Sequence, residues 1–575
     1  MRVVEFIERV STWRWPKEAG VGCTNRQVFG CMKVVVGCTT SIVHAHAGVK
    51  RTAPDNQHKY IPKMVTLQDR WERVDNWIGS AECSIQEMDD FDTETQDSSE
   101  AAFPLDEDEY YDAFCSEYMS FTNNNPTTYH AVQYMSEMLV ARGFVYIPET
   151  RPIDEKTAQA IVNGGCFYTS RGGLSLVAFV IGGQWQPENG IGAIGSHVDA
   201  LTAKLKPCSI KPNVDGYQML GVANYSGSLQ KNWLDRDLGI GGGVIIKKND
   251  KVSRKIVSSG SFPIARIPSL AEHFGAVADG PYNKETQMVP VIGYGEAKEA
   301  SETEKSAPLY GKHPLPLLRY VATRAGCKLE EIVGVDLELY DIQSACRGGL
   351  DNEFMFAPRI DDRLCSFAAI NALLLSASEI KSSTTLKQWN GLNMVLLADN
   401  EEIGSGSRTG AKGKFLSTTL KRILSARNLQ LQHLSLTFAN SLILSADVTH
   451  ALNPNFKLAY LDNHYPVPNK GLTIKMDANG RVMTDSIGTA MMQKIAEKNN
   501  LQFQTFHVRN DMPSGSTIGP ILAVETGARV VDVGLPQLSM HSIRAMCGYK
   551  EAGLGIKAFE AFFRDRTTVA RAVCI

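Results

Sequence analysis

The string Leu397-Ala398-Asp399-Asn400-Glu401-Glu402-Ile403-Gly404 sets two adjacent carboxylates at the end of an apolar run, Met394 to Leu397. That run reads as a buried strand. Neighbouring ionised glutamates repel one another, so a doublet held at a strand end calls for a cation beside it. With a metal present, one Glu can ligate it while the other takes a proton from metal-bound water. A lone doublet would read as a solvated turn. This one has company.

Four other segments share the design. Gly195-Ser196-His197-Val198-Asp199 follows a short apolar run at 191–194, and Ala357-Pro358-Arg359-Ile360-Asp361-Asp362 precedes a long apolar helical pattern. Leu444-Ser445-Ala446-Asp447-Val448-Thr449-His450 closes the run Leu442-Ile443-Leu444, and Gln537-Leu538-Ser539-Met540-His541-Ser542 comes shortly after Val530-Val531-Asp532-Val533. In open α/β sheets, ligands bind just outside the carboxyl ends of strands. A single Asp at such an end is ordinarily a turn former or a helix cap. Together these segments supply two imidazoles and three carboxylates, the mixed nitrogen and oxygen set that suits a pair of divalent ions such as Zn²⁺.

The elements that must position these groups are spread along 575 residues, a length suggesting about three or four domains. Residues 1–109 read as a variable extension ending in an acidic, Ser/Thr-bearing linker (82–112), with weak helical patterns at 2–14 and 64–77. Phe114, Tyr118, Tyr129, Val132, Met135 and Leu139 mark helices broken at 123–126, and Leu174 to Ile181 reads as the first buried strand. Between 201 and 345 the metal candidates stop, and Gly-rich turns (Gly239 to Gly243), strand-like pieces (262–267, 289–292) and a charged insert (296–305) take over. Because His197 and Asp361 must still converge, we expect an inserted domain at 201–345 between catalytic parts at 110–200 and 346–575. The net charge of −3 argues against a nucleic-acid surface. The charged start is unlike a secretory signal, and no apolar run reaches the roughly 18 residues needed to cross a bilayer. Twelve scattered cysteines without a Cys-x-x-Cys pair fit free thiols, and Cys365 reads as a core residue.

In their order and wording, His-x-Asp, Pro-Arg-Ile-Asp-Asp, Asp-Asn-Glu-Glu-Ile-Gly, Ser-Ala-Asp-x-x-His and Ser-Met-His-Ser-Ile-Arg, these motifs resemble the aspartyl aminopeptidase family of dizinc metallopeptidases. Gly195 to Pro207, Trp233 to Gly242, Ile267 to Gly275 and Ser445 to Phe456 are similar to its fungal vacuolar aminopeptidase I branch, and the resemblance covers roughly residues 110–570. It implies an α/β fold: a phosphorylase/hydrolase-like dizinc catalytic domain carrying an inserted β-rich dimerisation domain. By the family pattern Asp361, followed by a cis peptide, bridges two Zn²⁺, with Mn²⁺ or Co²⁺ as substitutes. His197 and Asp447 complete one metal, and Glu402 and His541 the other. Asp199 orients His197, and Glu401 is the base acting on a metal-bridging water.

The resemblance also implies that His273 reaches a neighbouring subunit's site as an oxyanion donor, while His450 reads as supporting or structural. Lys475 matches the position where acid-preferring relatives hold a substrate carboxylate, although the vacuolar branch prefers neutral residues. Gly515 and Ser516, within DMPSGSTIGP, would shape the same pocket. Peptide substrates, a dodecameric tetrahedral shell and delivery from cytoplasm to vacuole, helped by residues 1–70, complete the expectation. Two readings stay open beside it: a dizinc deacylase or carboxypeptidase, and a non-catalytic shell or transport cargo.

Overall fold

The apolar runs that precede the chemistry-bearing segments become strands of one nine-stranded sheet in the computed structural model, which describes residues 107–383 and 385–572. Its middle holds, in spatial order, Ser175–Gly182, Leu392–Ala398, Gly192–His197, Leu442–Ala446 and Arg529–Gly534. The last four run parallel to one another, so their carboxyl ends share one edge. Both faces of these strands are covered, which is why they read as continuous apolar runs rather than alternating ones. Helices Ile360–Ser383 and Glu551–Ala572 bury one face. Glu155–Asn163, Phe415–Ala426 and Gly519–Thr526 cover the other. Residues Ile360–Lys381 are long and apolar enough by composition to cross a membrane, but 83% of their most apolar 18-residue window is buried among the core elements. It is a core helix, with Cys365 wholly inside.

A second, six-stranded sheet takes every strand from between Thr202 and Asp341. All neighbours in it are antiparallel, and it builds its own core with helix Leu315–Ala325. A third sheet joins Cys346–Gly348, Phe354–Ala357, Ala545–Gly548, Pro536–Leu538 and Thr449–His450.

Three expectations need correction. Gly239 to Gly243 is not a set of turns but the middle of strand Leu238–Lys248. Glycine is required there by close approach: a Cβ on Gly239 would meet the Tyr340 ring at 2.7 Å, and one on Gly242, at φ 137°, would fall on the Asp336 carbonyl. Residues 262–267 make only isolated bridges, through Ala265 and Arg266. The end of the acidic linker is instead the first turn of helix Glu107–Asn124. Acidic residues suit a helix N-terminus, and Glu107 and Asp108 also pair with Lys557 and Lys550. The helical patterns at 2–14 and 64–77 and the linker up to 106 lie outside the described residues.

Candidate metal centre and active site

Local turns present the Glu pair and His541, whereas His197 is the last residue of its strand and Asp361 lies in the first turn of a helix. After Leu392–Ala398, Asn400 turns the chain at φ 59°, a left-handed conformation that Asn tolerates better than most residues. A single 3₁₀ turn, Glu401–Ile403, then presents the carboxylate pair, and Gly404 closes it by donating its N–H to the Glu401 carbonyl at 2.8 Å. His541 follows strand Pro536–Leu538 in a tight loop and itself sits at φ 62°. For a bulky residue that conformation costs about 1–3 kcal/mol, strain of the kind kept at functional sites. The Asp361–Asp362 peptide is cis.

Two donor sets meet at Asp361. Its Oδ1 lies 3.2 Å from His197 Nε2, which is 4.0 Å from Asp447 Oδ1. Its other oxygen, Oδ2, lies 3.6 Å from His541 Nε2, which is 3.9 Å from Glu402 Oε2. Around one tetrahedral Zn²⁺ with bonds of about 2.0–2.1 Å, donor atoms sit roughly 3.4 Å apart. The two sets, His197–Asp361–Asp447 and Asp361–Glu402–His541, each hold their donor atoms within 4.8 Å. Glu401 belongs to neither, although its Oε2 is 3.9 Å from His197 Nε2.

The electrostatics agree with a site built for cations. Burial pushes the Glu401 carboxyl up to about 7 and that of Glu402 to about 10, with neighbouring carboxylates adding to both. Glu402 Oε1 is buried without a hydrogen-bond partner. An orphaned carboxylate oxygen beside imidazoles is what a divalent ion would satisfy, and such an ion would reverse these shifts. The donor chemistry therefore fits two borderline ions.

A supporting layer holds these groups. Asp199 receives the His197 ring at 3.3 Å and the backbone N–H groups of Glu401 and Glu402 at 3.2 and 3.3 Å. Two members of this layer carried no role in the sequence reading. Asp362, fully buried, accepts the N–H of His197 at 3.3 Å and that of Val448 at 3.1 Å, tying two strand ends together. The doubled Asp was visible, but nothing in the sequence separates the roles of its two members. Tyr225 comes from the six-stranded sheet and donates to Asp199 at 2.8 Å. It lies in no motif that could have flagged it.

A cleft opens against Asp361, Glu401, Asp447 and His541, and Lys475, Gly515, Ser516 and His450 are on its wall. Lys475 is 8% exposed, and its Nζ donates to the Val448 carbonyl at 3.0 Å. A Cβ on Gly515 would meet nothing within 4 Å, so the backbone there is open to a ligand. His273 is not brought to this centre within the chain. It is exposed on a short 3₁₀ element, Glu272–Ala278, stacked on Phe274.

Comparisons with known proteins point to one family. Residues 121–563 match the aminopeptidase I zinc metalloprotease (M18) family. The chain is 47% identical to vacuolar aminopeptidase 1 of Saccharomyces cerevisiae, covering 80% of this chain and 89% of that protein. It is 36% identical to the aspartyl aminopeptidase of Aspergillus oryzae, over 80% of this chain and 97% of the relative. Among solved structures, the crystal structure of prApe1 superposes with a TM-score of 0.77 at 46% identity, over 80% of this chain and 96% of that one. The mApe1 dodecamer of Saccharomyces cerevisiae superposes at 0.72 with 43% identity, over 80% and 99%. The α/β sheet, its strand-end donors and these matches lead to one conclusion: the chain belongs to the aminopeptidase I (M18) family of zinc metalloproteases and is a metallo-aminopeptidase.

Proposed function

We propose that this enzyme removes the N-terminal residue, acidic or neutral, from peptides at a two-zinc centre in which Glu401 is the general base. The observation that carries the reading is the division of Asp361, one oxygen toward each donor set, with Glu401 beside both and part of neither. His197 and Asp447 would hold one ion, Glu402 and His541 the other, with Asp361 between them. Bound divalent ions would bring a water's pKa to about 7 and polarise the scissile carbonyl. Glu401 then takes the proton from the attacking water and passes it to the leaving amine. Asp199 keeps the His197 proton on Nδ1 so that Nε2 faces the metal. The cleft walled by Lys475, Gly515 and Ser516 receives the N-terminal side chain, and acidic groups near the metals take the free α-ammonium.

The finer organisation follows the relatives. Residues 201–345 form an inserted domain for dimer contacts, and its His273 donates to the substrate oxyanion in a neighbouring subunit. Twelve subunits enclose the sites in a tetrahedral shell, which suits a dodecameric relative, and the protein works in the vacuole, as the name of vacuolar aminopeptidase 1 suggests.

The test is turnover of Asp-, Glu- and Leu-aminoacyl reporters by metal-depleted and zinc-restored enzyme. Depleted enzyme should be inactive, and two zinc ions per subunit should restore it, with N-acylated reporters left uncut. Activity without metal, or cleavage of the acylated reporters, would contradict the reading.

A further inference from the structure

We propose that Tyr225 is a positioning residue for the metal centre: its hydroxyl fixes the Asp199 carboxylate and thereby sets zinc affinity at the His197 donor set. The inference rests on the ligand roles proposed above. Asp199 is the hub of the supporting layer, and of its contacts the one from Tyr225 Oη, at 2.8 Å, is the shortest. The hydroxyl and the Glu402 N–H share Oδ2, while Oδ1 accepts the Glu401 N–H and faces His197 Nδ1 at 3.3 Å. Both oxygens also accept a backbone N–H, but those contacts are longer, at 3.2 and 3.3 Å, so the hydroxyl is the tightest grip holding the carboxylate against the imidazole. A looser Asp199 carboxylate would hold the His197 ring less firmly in the orientation that turns Nε2 toward the metal, leaving Nδ1 more dependent on the Asp199 backbone carbonyl at 3.2 Å.

Tyr225 is itself held from two directions. Asn400 Nδ2 donates to its hydroxyl at 2.8 Å, and Ser407 Oγ donates to Asn400 Oδ1 at 2.7 Å. The Tyr225 backbone N–H donates to Ser228 Oγ at 3.0 Å, and the Lys204 ammonium lies 5.2 Å from the ring centroid. The chain Ser407, Asn400, Tyr225, Asp199, His197 therefore links the turn that carries the Glu pair to the ligand on the next strand. It does so through a side chain that belongs to the six-stranded sheet. The metal centre is thus complete only when that sheet is docked against it.

The test uses the full-length enzyme, stripped of metal and titrated with zinc against a competing chelator. Tyr225→Phe keeps the ring and deletes only the hydroxyl. We expect one of the two zinc ions to bind about 10–100-fold more weakly, the range for losing an outer partner of a metal-bound His. The other should shift far less, and kcat should fall with KM little changed at saturating zinc. Val222→Ala, in the same strand but packed in that sheet's own core, is the control for general loosening. It should keep wild-type zinc affinity. Wild-type affinity in Tyr225→Phe, or equal losses in both variants, would overturn the proposal. Failure of the wild-type enzyme to bind two zinc ions would instead refute the ligand assignment beneath it.

Discussion

Replacing Lys475 with Met separates recognition of an acidic side chain from general support of the site. The ammonium is nearly buried on the short strand Thr473–Met476, donates once to Val448, and lines the same cleft as Asp361 and Glu401. Two N–H donors remain for a ligand. A hydrogen bond between charged groups contributes about 1.5–3 kcal/mol, so its loss should lower kcat/KM for an Asp reporter by roughly 10- to 150-fold. Met preserves the unbranched stem, so packing beside Gly534 changes little. Lys475 also draws down the charge cost of Asp361 and Asp447, and that contribution affects every substrate alike. The decisive quantity is therefore the ratio of Asp to Leu reporter turnover at equal zinc content. A fall in that ratio by about tenfold or more supports carboxylate recognition. An unchanged ratio, even with lower activity, would show that Lys475 serves the metals and not the substrate.

Two more outcomes follow from particular groups. Glu551 is fully buried, one oxygen accepts the Asn469 N–H at 2.6 Å, and burial raises its carboxyl to about 8. Its folded pKa lies above the unfolded value, so its stabilising effect is complete below about 4.5 and is lost as pH rises toward 8. Melting curves across pH 5 to 8 should thus fall by up to a few kcal/mol in the native protein and stay flatter in Glu551→Gln; parallel curves would refute the shift. If His273 completes a neighbouring site, His273→Ala should lose about 100-fold in kcat, and co-assembly with inactive Glu401→Gln subunits should restore part of it, because each variant supplies what the other lacks. Absence of complementation would place the His273 role within its own chain or remove it.

Most of the metal candidates were legible because they sit at or just beyond the end of a buried strand that a continuous apolar run reports directly, while Asp361 opens the apolar helix Ile360–Ser383. Leu392–Ala398 and Leu442–Ala446 fall where their runs predicted. Strand Gly164–Arg171 was missed because GGCFYTSR is too polar to announce burial, yet it pairs along its whole length with Ser175–Gly182. The glycine-rich strand misled for a related reason: glycine marks both turns and close approach, and only the Tyr340 ring decides which. Tyr225 was invisible because its role depends on how a second sheet meets the first. His273 was selected by resemblance, and its surroundings within one chain are solvent and Phe274.

The central claim, a two-metal site with Glu401 as base and not ligand, is tested most directly by Glu401→Gln. The amide keeps the side chain's shape but cannot take a proton, while both donor sets are untouched. Metal content and turnover should be measured on the same preparation. The account predicts two zinc ions per subunit in the variant and the native enzyme alike, with kcat of the variant lower by about 100-fold or more, the cost of losing a general base. Near-native turnover with full metal content would contradict it, and so would loss of a zinc ion, which would make Glu401 a ligand.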